Sequence, residues 1–220
     1  MLGAAFRHPC ATTDGTTPCH NQMLPGGSIK PPHNHTGGLA DHAALRELVS
    51  VATLDLHAAR GVLPPRTLRL RPEAAGRLAT ASRTLPDGFA LVVLDAWRSS
   101  ADQQALAAAA CPSTRRVGRV ATVRPSHRTG GAVDVTLAYH GHALALGSDV
   151  GEVSARSALR AFEARDSAMR RLRRLLAATL GAAGFVPREA RWWHWSFGDD
   201  AWSAARGCPT IYDVWDPDSR

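Results

Sequence analysis

Lysine, aromatic residues and paired cysteines are all scarce in this chain, and each shortage narrows its chemistry. Lys30 is the only lysine among 26 basic residues, and the net charge is +7. That arginine skew reads as genomic base composition rather than as selection for phosphate contacts. The densest basic run, "RRLRRLL" at 170–176, has no interleaved aromatics, so it reads as a solvated helix face and no nucleic-acid partner is expected. Cys10, Cys19, Cys111 and Cys208 contain no CxxC pair, which excludes the common zinc modules. Free thiols in a cytosolic chain are the expectation. There is no run of about 18 apolar residues, so no membrane-spanning helix is expected. The opening "MLGAAFRHPC" lacks a basic segment followed by a long apolar one, which makes the cytoplasm the expected compartment.

What remains suits a folded enzyme. The chain has 220 residues, 45% of them hydrophobic and 20% charged, enough for one sizeable core. Residues 1–38, rich in Gly, Pro, Thr, His and Asn, read as a mobile polar arm, and 39–220 as the catalytic domain. In "LADHAALRELVSVATLDL" a short helix is expected to lead into a strand near Val49–Leu54. A helix follows over 71–85 with proline in its first turn, then a buried strand "FALVVLDAW" over 89–97. Further expectations are an alanine-rich helix over 100–110 capped by Ser99 or Ser100, and a hairpin over 132–144 turning at Gly141. One long or broken helix is expected over 154–185, and a last strand in "RWWHWSF". The mixed order points to an α+β fold.

Aromatics make up only 6% of the chain, yet three of its six tryptophans crowd into "RWWHW" around His194. His127 and Asp134 in "SHRTGGAVD" complete a possible set of two imidazoles and one carboxylate. Gly130 and Gly131 allow the backbone to turn between those two. Such a set leaves an open coordination position. It suits catalytic zinc, and equally the facial triad of non-haem iron(II).

Three segments in order, "DAWR" (95–98), "PSHRTGGAVDVTL" (125–137) and "GFVPREARWWHW" (184–195), resemble the motifs of the D-alanyl-D-alanine dipeptidases, the VanX-type zinc peptidases. The likeness runs from about residue 48 to about 205. It implies a compact α+β domain with a mostly antiparallel central sheet flanked by helices, of the zinc D,D-peptidase and hedgehog-like type. It also implies zinc held by His127, Asp134 and His194, Arg98 stabilising an oxyanion, and Ser126 binding the backbone of a small dipeptide-like substrate. Trp192 is a further candidate for the pocket wall, and Asp95 for orienting Arg98.

The chain departs from the family where the chemistry is hardest. The family's general base is a glutamate three residues before the last histidine, and Arg191 stands there. The family's "D-N-F" is also missing, with Leu56 in that region, and "LGSDVGE" (147–152) lacks the usual "F-D". A zinc peptidase needs a carboxylate to accept the proton of the attacking water and return it to the leaving amine. Arginine, protonated at neutral pH, cannot do this. Three readings follow. The enzyme remains a peptidase or amidase using Glu189, Glu152 or Asp149; or it keeps its metal, zinc or iron, and runs another, biosynthetic reaction with Arg191 binding a substrate carboxylate; or it is a non-catalytic binding module. Strand alternation would put Glu189 on the same side as Arg191. The intact ligand set disfavours the third reading.

Overall fold

The computed structural model describes residues 46–47, 56–64, 67–110, 125–164 and 167–215. All of them fall in a unit spanning Thr36–Arg220. The expected arm over 1–38 and the expected strand near Val49–Leu54 lie outside the described residues. Strands β1 (Arg46–Glu47) and β2 (Arg69–Leu70) form a small antiparallel pair, so residues 46–47 are strand where the short helix is expected, and α1 (Leu56–Ala59) lies between the two strands in sequence. Helix α2 (Pro72–Arg83) begins with proline, whose missing N–H costs nothing in a first turn. Its buried residues Ala74, Leu78 and Ala81 recur at helical spacing and face the core.

Strand β3 (Phe89–Asp95) is apolar on both faces and is buried on both: Leu91 and Val93 belong to the main core, while Val92 and Leu94 pack with Ala138 on the other side. Helix α3 (Ser100–Ala110) starts with a reciprocal cap. The Asp102 N–H donates to Ser99 Oγ at 3.1 Å, and the Ser99 N–H donates to Asp102 Oδ2 at 3.0 Å. Strand β4 (Ala132–Tyr139) and the short β5 (His142–Ala143) make the expected hairpin around Gly141. Strands β6 (Val186–Arg188) and β7 (Arg191–Ser196) complete a sheet ordered β3–β4–β7–β6 with β5 beside β4, every pair antiparallel. The α+β expectation holds. Helix α4 (Ala168–Ala182) packs with α2 over this sheet, and α5 (Asp200–Arg206) follows it.

Two expectations fail. The helix expected over 154–185 is helical only from Ala168; residues 155–157 form a single 3-10 turn. The reason lies in Arg173, at the centre of the run read as a solvated face. It is buried, and it donates to the carbonyls of Leu146 (2.8 Å), Arg156 (2.8 Å) and Ala158 (2.5 Å). Carbonyls spent on a guanidinium are not available to a helical ladder. Cys208 is not a free thiol but disulfide-bonded, its partner lying outside the described residues. No described helix is long and apolar enough to cross a membrane.

Candidate metal centre

The sheet register sets polar residues in a row at one end of adjacent strands. Asp95 on β3 pairs with Asp134 on β4, after a bulge between Val93 and Asp95, and Asp134 pairs with His194 on β7. His127 joins them from a 3-10 turn, Ser126–Thr129, that leads into β4. Thr129 stiffens this turn: its hydroxyl donates to Ser126 O at 2.7 Å and accepts from the Gly131 N–H at 3.0 Å. Gly130 leaves the turn in the left-handed region at φ 74°.

Gly131 answers a different need. A Cβ there would lie 2.2 Å from the Phe197 carbonyl oxygen and 2.9 Å from the Tyr212 ring. Gly131→Ala is therefore expected to cost about 3 kcal/mol and to lower the melting temperature by roughly 10 °C. A variant that melts with the wild type would disprove that close approach.

His127, Asp134 and His194 are all buried. His127 Nε2, His194 Nδ1 and Asp134 Oδ1 form a triangle with sides of 3.1, 2.9 and 3.2 Å. Donors bound tetrahedrally to one zinc ion stand about 3.3–3.5 Å apart, so the triangle needs only a slight expansion to hold one. Protonation fits as well. His127 Nδ1 lies 2.7 Å from the Ala96 carbonyl, a contact that requires the proton on Nδ1 and leaves the Nε2 lone pair facing the triangle. Burial alone would push the Asp134 carboxyl up, but His127 and His194 outweigh it and hold Asp134 well below the usual carboxylate range. Burial pulls the His194 imidazole down, against the opposing pull of Asp134. Asp134 is thus held as a carboxylate, the state in which it can serve as a metal ligand.

Arg98 stands beside it, held at several points. Its Nε and Nη2 donate to Asp95 Oδ2 at 2.6 and 2.5 Å, and Nη1 donates to Gln103 Oε1 at 3.1 Å. Nη2 lies 3.7 Å from Asp134 Oδ2. Without this cation, carboxylates facing each other on neighbouring strands would repel. Asp95 orients Arg98 as the sequence suggests, and also accepts from the Ala96 N–H at 2.9 Å. Gln103 is not apparent from the motifs; its signal is its place one turn into the helix capped by Ser99.

Arg191 and His194 are an odd number of residues apart, and strict alternation would put them on opposite faces. A bulge breaks the alternation: Pro187 pairs with Trp195, but Arg188 pairs with Arg191, leaving residues 192–194 outside the ladder to β6. Arg191 is exposed, yet desolvation of its guanidinium, then the Arg188 charge and also Arg98, pull it below the ordinary arginine range, with Asp134 pulling the other way.

Glu189 does not join the ligands. It lies in the turn between β6 and β7, so the alternation that would carry it round with Arg191 does not apply. Its carboxylate is exposed, 3.9 Å from Arg160. Glu152 closes a local turn instead, accepting from Ser154 Oγ at 2.5 Å and from the Asp149 N–H at 3.1 Å. Trp192 is buried, and its indole donates to Ser148 Oγ at 3.0 Å. The Ser126 carbonyl is spent inside its turn.

Comparison with known proteins agrees with this geometry. Residues 64–212 match the family model described as D-ala-D-ala dipeptidase. A D-alanyl-D-alanine dipeptidase from Synechocystis is 32% identical over 90 residues, a match covering 36% of this chain and 36% of that one. The aligned part is thus about a third of the relative's length. The family match takes in β3, β4 and β7, the strands that meet at the His–Asp–His triangle, and more than half of the whole chain: this protein belongs to the D-Ala-D-Ala dipeptidase family.

Proposed function

We propose that this protein is a metal-dependent enzyme acting on a small amino-acid or dipeptide-like substrate, and that it has left hydrolysis for another, biosynthetic reaction. His127, Asp134 and His194 would hold the ion, zinc by family resemblance, with iron(II) suiting the same donors. Bound there, the ion supplies Lewis acidity toward a substrate oxygen. Arg98, fixed by Asp95 and Gln103, offers a preset cation to an oxygen gaining negative charge.

One observation carries the departure from hydrolysis: Arg191 occupies the position of the family's base, and its guanidinium lies within the electrostatic reach of Asp134 and Arg98. It remains protonated and accepts no proton. Nor do the nearby acids replace it. Asp95 is committed to Arg98 and lies on the Nδ1 side of His127, 4.0 Å from that atom and away from the Nε2 that faces the triangle. Glu189 pairs outward with Arg160.

The expected outcome is one equivalent of metal in anaerobically purified protein, with zinc and iron quantified together. Loaded with zinc, the wild type should hydrolyse D-Ala-D-Ala at least about 100-fold more slowly than an Arg191→Glu variant, the scale of a general base. Rapid hydrolysis by the wild type that Arg191→Glu does not improve would return the protein to the peptidases.

A further inference from the structure

Arg188 ends β6 and Arg191 begins β7, and the two are paired directly across the turn formed by residues 189 and 190. Side chains opposed in this way stand about 4.5–5.5 Å apart at Cβ on one face, where like charges repel. The turn contains an acid that could relieve the repulsion, Glu189, but its carboxylate faces Arg160. Among the described residues, the guanidinium of neither Arg188 nor Arg191 has a hydrogen bond or ion pair to the protein. Both are exposed, so no packing requirement accounts for them.

The pair is also tied to the centre. Arg191 is three residues before His194 on the same strand, and the charge of Arg188 acts on the His194 imidazole. Arg98 adds a third guanidinium, and its own carboxylate, Asp95, is already spent on it. Asp134 is shared between the imidazoles, 2.9 Å from His194 and 3.2 Å from His127. With Arg98 matched by Asp95 and Asp134 shared between the imidazoles, Arg188 and Arg191 are left without a carboxylate of their own, and a ligand anion can supply one.

We propose that Arg188 and Arg191 form a two-guanidinium fork for an oxyanionic group of the substrate, a carboxylate or phosphate distinct from the group that approaches the ion and Arg98. The substrate is then an amino-acid-sized molecule with a second anionic group. Each guanidinium has the planar donor geometry for bidentate recognition of such a group, and the bound anion cancels the repulsion across the turn. A glutamate at position 191 would repel the same group, so the substitution that removes the base also selects a more acidic substrate. The inference rests on reading Arg191 as a ligand-binding residue.

The test is equilibrium binding, by calorimetry and thermal shift, of glutarate and of inorganic phosphate to the metal-free full-length chain. With no ion present and no turnover, the result does not depend on whether D-Ala-D-Ala is hydrolysed, so failure of the fork and failure of the reaction reading are distinguishable. Arg188→Gln and Arg191→Gln are each expected to weaken binding about tenfold, and the double variant to abolish it. Arg160→Gln, on the outward side of the turn, should bind as the wild type does. Glutarate binding the more tightly assigns a carboxylate; phosphate, a phosphoryl group. Without anion, Arg188→Gln should melt at or above the wild-type temperature, because a repulsion has been removed, and added anion should raise the melting temperature of the wild type but not of the double variant. Binding of neither anion by the wild type, or equal binding by the double variant, overturns the proposal.

Discussion

Asp134→Ala is expected to abolish metal retention, weakening affinity by more than about 100-fold, since the loss of a mere outer hydrogen-bond partner already costs about 10–100-fold. Asp134 supplies one corner of the donor triangle and all of its negative charge. It accepts from or opposes both imidazoles and faces Arg98 at 3.7 Å. Without it, a divalent ion would meet two neutral ligands with a guanidinium close by. Asp134→Asn keeps the shape but not the charge, and should fail nearly as completely. Asp95→Asn touches only the groups that aim Arg98 and crowd His127, so it should stay within the outer-partner range. Competition with a chelator of known affinity separates the three variants. A Asp134→Ala protein that keeps one tightly held equivalent would show that the ion binds elsewhere.

Acid should act on the same groups, and the signs agree. Burial depresses the folded-state pKa of His194 below 6.5, so as pH falls the unfolded chain takes up its proton first, and the metal-free protein loses stability below that value. Asp134 is also depressed, by the imidazoles acting against burial. Its contribution is complete above 3.8 and is lost as pH falls through its folded value. The metal should accordingly be retained below the pH at which an exposed histidine site would release it. Metal content measured across an acid titration checks this; release centred at or above pH 6.5 would contradict it.

The parts of this fold that were legible in the sequence are those governed by local rules. Pro72 announced α2, the alanine-rich run with its serine cap announced α3, and the apolar run at 89–95 could be buried only as a central strand. The motif residues that converge did so because β3, β4 and β7 end in register, and the register follows from which faces are apolar. What could not be read depended on tertiary choices. Strand alternation would have brought Glu189 to Arg191's side, but the chain turns at 189–190 and bulges at 192–194, and the one local signal is Pro187, opposite the bulge on the neighbouring strand. The indole of Trp192, a candidate for the pocket wall, is spent on Ser148, a contact 44 residues away in sequence.

Arg173 was the other illegible residue, and its removal should have the largest effect on stability. The run "RRLRRLL" looked solvated because of its charge, yet helical spacing aligns Arg173 with Leu176 and Leu180 on the stripe that faces the core. There it has carbonyl partners, those of Leu146, Arg156 and Ala158, and it lies over the rings of Phe162 and Trp192 at 4.7 and 5.4 Å. Burial, with help from Arg156, lowers its pKa to about 10, so it stays cationic at neutral pH. Arg173→Met would fill much of the volume but orphan those carbonyls, each costing about 1–3 kcal/mol where water cannot reach. A net loss of about 4 kcal/mol, or roughly 10 °C in melting temperature, is expected after partial solvation. Arg173→Lys keeps the charge but reaches fewer of the carbonyls, and should fall between the two. Metal affinity should decline as well, because the 146–148 loop is held against the strand carrying His194 through Trp192 and Ser148. If Arg173→Met melts with the wild type, the turn at 155–158 holds itself, and the early end of the expected helix needs another cause.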